Sequence, residues 1–372
     1  MKTRIILPAA AGLCALLAGC GGPKNNLSGK VDIGTDTLLV YVWDAEGAGT
    51  DYADTIAVTD GLFSMTVPDT AAFYITLAEK PAPGGRMTSY SDRFLFLPGD
   101  AMYVEGPLDE LKISGTELYD ALEGTAEYKR LDAALDSLYG EWRAVYNEDK
   151  EKADSIRALM DEADKAIDTF MYEYVKANPD NLLSGFFTTR LPEKESVEAW
   201  ELLSDNVRNG KMKGVLDVSI ERSRQMLVIE ENWNKMKPGY KVPDFRLKNL
   251  DGEYMTLDSF KGKYALIDFW GTWCGWCIKG IPDMKAAYGK YKDRFEIVGI
   301  DCRDSEEKWR EGVEKYELPW TNLYNGDSDE ITVAYGVQGY PCKILIDPES
   351  KVVEAFLGED PALYKKLDEL FR

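Results

Sequence analysis

Residues 270 to 277 read Trp-Gly-Thr-Trp-Cys-Gly-Trp-Cys, directly after the apolar run Tyr264 to Phe269. This pattern predicts a buried strand giving way to a helix, with a Cys-x-x-Cys at the junction. Two intervening residues bring the second sulfur within bonding reach of the first on one helical turn. The first sulfur also sits over the helix N-terminus, where unpaired N–H groups and the macrodipole favour an anion. Cys274 is therefore the expected nucleophile. A fall in its pKa from about 8.5 to about 7 would raise the thiolate fraction at neutral pH about 16-fold. Intrinsic nucleophilicity drops about 5-fold over the same shift, so activation alone contributes about 3-fold. The larger advantage lies in Cys277 being held close enough to resolve a mixed disulfide.

Such a pair could also be half of a zinc site, which usually needs four Cys or His ligands. The chain has no histidine, and the other candidate thiols, Cys302 and Cys342, are single and far apart in sequence. No metal and no cofactor is expected. The missing histidine also excludes Ser-His-Asp hydrolysis, a Cys-His dyad and His-ligated haem. A net charge of −21 argues against nucleic-acid binding. From Pro238 onward there are 19 basic and 25 acidic residues, a net of −6, which leaves −15 for the segment before it.

The first residues read as a targeting segment. Lys2 and Arg4 precede the apolar stretch Ile5 to Gly19, which is short for a transmembrane span and ends Leu17-Ala18-Gly19-Cys20. This string resembles the bacterial lipobox, in which cleavage precedes a cysteine that becomes lipid-modified. The resemblance implies a signal peptide over 1–19, lipidation of Cys20, and a lipoprotein anchored to a bacterial membrane and facing the periplasm. An ordinary secretory signal with a chance cysteine is the alternative. Gly21-Gly22 carries no acidic retention signal, which by the same resemblance favours the outer membrane over the inner.

At 372 residues the chain has room for two or three domains. The expected organisation is multidomain: a tether over 20–28, a small all-β domain over 29–116, a helical region over 117–236 and an α/β domain over 238–372. In the β domain, Leu38 to Val42, Phe73 to Leu77, Phe94 to Leu97 and Met102 to Val104 read as strands. Ile56 to Val58 and Leu62 to Val67 flank Asp60-Gly61, a hairpin signal. Short strands with regular turn punctuation suggest a sandwich or barrel. Further on, Leu131, Leu135, Leu138, Trp142 and Val145 fall at helical spacing, and Ile156, Met160, Ala163, Ile167 and Phe170 repeat it. Two such helices make an antiparallel hairpin, although the stripe could also be a partner-binding seam. After the linker Lys237-Pro238-Gly239, a hairpin around Asp251-Gly252 precedes the strand Ala265 to Trp270. A helix from Gly275, the strand Phe295 to Ile300, a helix over Glu306 to Tyr316, the strands Cys342 to Ile346 and Val352 to Phe356, and a last helix after Asp360-Pro361 complete the reading.

This last segment, from about Val242 to Arg372, resembles the thioredoxin superfamily, in particular membrane-tethered thiol-disulfide oxidoreductases of the TlpA and ResA type. Asp268-Phe269-Trp270, Trp273-Cys274-Gly275 and Cys277 match the strand-to-helix junction, and Tyr340-Pro341 before Cys342 matches the cis-proline. The resemblance implies a thioredoxin-like fold in which Cys274 attacks and Cys277 resolves through a redox-active disulfide. Asp268 would be the buried carboxylate relaying a proton to Cys277. Pro341, if cis, would present the Tyr340 backbone to an extended substrate segment. Trp273, Gly275 and Trp276 complete the expected substrate-binding surface. Implied partners are disulfide-containing protein substrates and a membrane electron donor.

Three departures stand out. Trp276 occupies the position before the second cysteine where family reductases commonly carry Pro. Gly280 stands where cytochrome-maturation members often place Glu. Cys342 directly follows the proline, and with Cys302 it is a candidate second thiol pair, the alternative being two unconnected buried cysteines. Reduction of protein disulfides is the expected activity. The same motif serves an oxidase or isomerase, since sequence does not set the potential. Peroxidase chemistry needs Pro-x-x-x-Thr-x-x-Cys, and Gly271 stands at the threonine position. A non-enzymatic outer-membrane adaptor with an incidental dithiol is the reading from another class.

Overall fold

The structure, a computed structural model, describes residues 25–47, 52–82 and 84–372. The signal segment and Cys20 lie outside the described residues. The chain divides into two compact units, residues 1–224 and 225–372.

The first unit opens with two four-stranded sheets. One has the order β4-β1-β7-β8, built from β1 (Leu27–Asp32), β4 (Leu62–Met65), β7 (Met102–Pro107) and β8 (Lys112–Ser114). The other has the order β3-β2-β5-β6, from β2 (Thr37–Trp43), β3 (Tyr52–Ala57), β5 (Phe73–Glu79) and β6 (Phe94–Phe96). The tether expected over 20–28 ends earlier than that, because Leu27 is already buried in β1. Asp60 and Gly61 both take positive φ, and Thr59 and Leu62 exchange backbone hydrogen bonds of 3.0 and 2.9 Å. The flanking strands then part: β3 pairs with β2 and β4 with β1, so the tight turn passes the chain from one sheet to the other.

Seven helices follow: α1 (Glu117–Gly124), α2 (Ala126–Val145), α3 (Lys150–Ala177), α4 (Leu182–Thr188), α5 (Glu193–Leu202), α6 (Asp205–Arg208) and α7 (Lys213–Lys235). α2 and α3 pack on each other, and α3 buries Ala153, Ile156, Met160, Ile167, Met171 and Val175 at spacings of three, four and seven residues, one helix face. The division into a β domain and a helical region does not hold as two cores. One apolar cluster runs from Leu27, Leu38 and Ile75 through Tyr119, Leu135 and Phe187 to Leu216. Tyr119 ties the two parts together, its hydroxyl accepting the Leu95 N–H at 2.8 Å. Neither sheet nor helices could bury their apolar faces without the other.

The second unit begins in the last turns of α7 rather than at the Lys237 linker. Asn232 donates to the Val333 carbonyl at 2.8 Å, and Trp233 and Met236 pack into this unit's core. Its sheet has the order β10-β9-β13-β12-β11-β14-β15. The strands are β9 (Leu247–Asn249), β10 (Tyr254–Met255), β11 (Tyr264–Trp270), β12 (Phe295–Cys302), β13 (Thr321–Gly326), β14 (Cys342–Ile346) and β15 (Val352–Leu357). β11, β12 and β13 run parallel, and β14 and β15 are antiparallel additions. The helices are α8 (Gly275–Tyr291), α9 (Glu306–Lys315), α10 (Glu330–Ala334) and α11 (Pro361–Leu370).

Strand alternation sorts the core onto two faces. Ala265, Ile267 and Phe269 of β11 join one cluster with Val242, Phe260 and Tyr335. Leu266 and Trp270 join the other with Ile281 and Met284 of α8, Trp309 of α9, and Leu363 and Leu367 of α11. Both faces are covered, so β11 reads as a continuous apolar run in which Asp268 is the exception.

Candidate active site

Where β11 ends, Gly271 to Trp273 form a short loop and α8 begins, with Cys274 as its N-cap. The loop is fixed by Asp304, whose carboxylate accepts from the Thr272 backbone N–H at 2.6 Å and from its hydroxyl at 2.7 Å. The Trp273 indole N–H donates to the Cys302 carbonyl at 2.9 Å. Cys274 and Cys277 are joined in a disulfide, with Cα atoms 5.3 Å apart. The Cys277 N–H points at Cys274 Sγ, 3.1 Å away, so an orphan donor of the first helical turn is aimed at the sulfur expected to carry negative charge. Both sulfurs belong to buried residues, while Gly275 between them is exposed.

Asp268 lies on the face of β11 that α8 covers and is 5% exposed. Burial pushes its carboxyl up from the usual carboxylate range, against the opposing pull of Lys343. That suits a group that must hold and return a proton. The Tyr340–Pro341 bond is cis. Tyr340 meets Trp273 edge-on at 5.0 Å, and the Arg303 guanidinium lies 5.5 Å from the Tyr340 ring and 5.9 Å from the Trp273 ring. Trp273 is 47% exposed and Trp276 is 63% exposed. A surface of two open indoles and a tyrosine surrounding a disulfide can seat an extended polypeptide beside the reactive sulfurs.

Cys302 and Cys342 are both free and buried. Cys342 stands opposite Phe269 in the β11–β14 register, and Cys302 shares Phe269's cluster. Both therefore face away from Cys274 and Cys277, which lie in the other cluster. Of the two readings, a second thiol pair or two unbonded buried cysteines, the structure has the second: both thiols are free within one apolar cluster. Burial pushes the Cys302 thiol up to about 12 and the Cys342 thiol higher still, which removes the thiolate that exchange requires.

Arg303 and Asp304 were not anticipated, and nor were two charged residues beside Asp268. Lys343 sits directly opposite Asp268 in the β11–β14 register, and Glu359, just past β15, accepts a hydrogen bond from its ammonium. Lys343 carried the same signal that marked Asp268, a charged residue inside an apolar run. Glu359 had none, because its role depends on where the chain turns after β15.

A redox-active Cys-x-x-Cys at a strand-to-helix junction, above a buried carboxylate and beside a cis-proline, defines a thioredoxin-like thiol-disulfide site. Residues 238–355 match the AhpC/TSA family. The chain is 36% identical over 126 residues to the thiol-disulfide oxidoreductase ResA of Bacillus thuringiensis, an alignment covering 34% of this chain and 72% of that protein. It is 31% identical over 126 residues to the thioredoxin-like protein YneN of Bacillus subtilis, covering 33% of this chain and 73% of the relative. A solved thioredoxin domain of a thiol-disulfide oxidoreductase from Bacteroides vulgatus aligns at 32% identity and a TM-score of 0.35, covering 37% of this chain and 99% of that one. The chain belongs to the ResA family of thiol-disulfide oxidoreductases.

Proposed function

We propose that this protein reduces disulfides in other proteins, working in the periplasm from a lipid anchor on Cys20 and recharged by a membrane electron donor. The observation that carries the reading is the gathering of Asp268, the Cys274–Cys277 pair and the open surface of Trp273, Trp276 and Tyr340 around the C-terminal end of β11. In the dithiol form, the Cys274 thiolate attacks one sulfur of a substrate disulfide and the other substrate sulfur leaves as a thiolate. Cys277 then gives its proton to Asp268 and attacks Cys274, closing the disulfide and releasing the second substrate thiolate. Two electrons pass from the dithiol to the substrate; one substrate thiolate takes the proton that Asp268 holds, and the other takes one from solvent, replacing the proton Cys274 gave up on ionising. Lipidation and export rest on the Leu-Ala-Gly-Cys string and the outer membrane on Gly21-Gly22.

Trapping tests this reading. A Cys277→Ala variant attacks but cannot resolve, so expression in the native host should accumulate mixed disulfides through Cys274, recoverable under non-reducing conditions and identified by mass spectrometry. Equilibration of the parent protein with glutathione buffers should give a potential well below that of the glutathione pool. A strongly oxidising potential would replace the reductase reading with an oxidase.

A further inference from the structure

Lys343 is 1% exposed, the second residue of the otherwise apolar strand β14. An ammonium so placed is tolerated only if it is paired. Two carboxylates compete for it. Glu359 takes the closer contact and the hydrogen bond, while Asp268 Oδ1 lies 3.5 Å from Nζ and accepts no hydrogen bond. Glu359 is also pressed against α8: a Cβ built on Gly280 would overlap its carboxylate. Gly280 is three residues beyond Cys277, so the two share a helix face. The carboxylate that closes off Lys343 thus fills the space a side chain at 280 would occupy. Its own side chain is 19% exposed, which leaves it in touch with solvent.

We propose that Lys343 and Glu359 are positioning residues for the resolving step: by holding the Lys343 ammonium, Glu359 leaves Asp268 free to accept and return the proton of Cys277. The inference rests on the thiol-disulfide exchange described above and adds what governs its proton acceptor. Charge counting gives the reason. With Lys343 and Glu359 charged, ionising Asp268 takes the cluster from zero to −1. Without the Glu359 charge, the same ionisation takes it from +1 to zero, the change a buried site favours most, and Asp268 is locked as a carboxylate. Without the Lys343 charge it runs from −1 to −2, and Asp268 is locked as an acid.

The other groups facing Asp268 do not supply this control. α8 presents Cys277 and the exposed Asp283, and β12 presents Gly299, which cannot titrate. α11 adds the Tyr364 hydroxyl, and the Cys342 thiol acts on Asp268 from the opposite face of the sheet; both are pushed upward first by burial and so neutral at physiological pH.

The test uses the full-length oxidised protein, with no substrate present. Asp268 is titrated by its carboxyl infrared or ¹³C NMR signal, assigned by its loss in Asp268→Asn. Glu359→Gln, nearly isosteric and at a partly open site, should lower the titration midpoint by about one pH unit or more, and Lys343→Met should raise it by a similar amount. Moving the carboxylate with Gly280→Glu and Glu359→Gly together should bring the midpoint most of the way back. In the reduced protein, the pH midpoint of mixed-disulfide resolution should move in the same directions. A wild-type midpoint in Glu359→Gln would overturn the proposal, as would shifts of both single variants in one direction. Should Lys343→Met fail to fold, Glu359→Gln decides alone. Loss of disulfide reductase activity with the opposite shifts intact would sink the reductase reading and leave this inference standing.

Discussion

At the scale of single residues, the site separates attack from resolution. Cys274 draws on the helix N-terminus, through the Cys277 N–H at 3.1 Å, while in the proposed mechanism Cys277 depends on Asp268, buried on the same face of the sheet. Asp268→Asn should therefore leave formation of the mixed disulfide within a few-fold of wild type and slow its resolution by about 10²–10⁴-fold at neutral pH, as stopped-flow mixing would resolve. The sign of the pH dependence follows from the direction of the shift. Burial raises the Asp268 pKa, so the proton-accepting carboxylate becomes available only as pH climbs through that raised value. Wild-type resolution should rise with pH there, and the variant should lose that rise. Cys274, Cys277, Asp268 and Pro341 were legible because each lies within a few residues of the motif in sequence or stands out chemically in its run. Glu359 was not, since only the folded course of β15 and α11 brings it against Gly280.

At the scale of elements, periodicity found the long pieces and turn punctuation several short strands, while β13 escaped both. The stripes of α2 and α3, and the apolar runs of β11, β12 and β14, are long enough to show their period. β13 reads Thr-Asn-Leu-Tyr-Asn-Gly, whose two asparagines and glycine look like a loop, yet it pairs between β12 and β9 with Leu323 fully buried. Sheet context overrode local preference there. The Asp60-Gly61 signal gave the turn correctly and the pairing incorrectly, because a tight turn does not oblige its flanking strands to stay together. Gly336, just past α10, shows the reverse dependence of an element on a single residue. It holds φ at +66°, and a Cβ there would overlap the Trp233 backbone at the tail of α7. Gly336→Ala should destabilise the second unit by about 1–3 kcal/mol through strain and displacement of that tail, read as a fall in its Tm.

At the scale of the whole molecule, the chain holds two units, 1–224 and 225–372, and their boundary was the least legible feature. Lys237-Pro238-Gly239 has the composition of a linker, but Trp233 and Met236 before it are already part of the second core. A fragment over 225–372 should fold and exchange disulfides, whereas one beginning at 238 forfeits the burial of Met236 and should be less stable by about 1.5–3 kcal/mol, measurable by urea denaturation. Thermal unfolding of the full chain should show two transitions in calorimetry rather than one. The placement of Cys302 and Cys342 behind the sheet from Cys274 and Cys277 sets the electron capacity of the second unit. The sheet acts as an insulator between the two sets of sulfur, so the unit carries a single electron pair and stores no reserve. Under the proposed reductase activity each turnover empties it, and throughput is bound to the rate at which a donor refills that one pair.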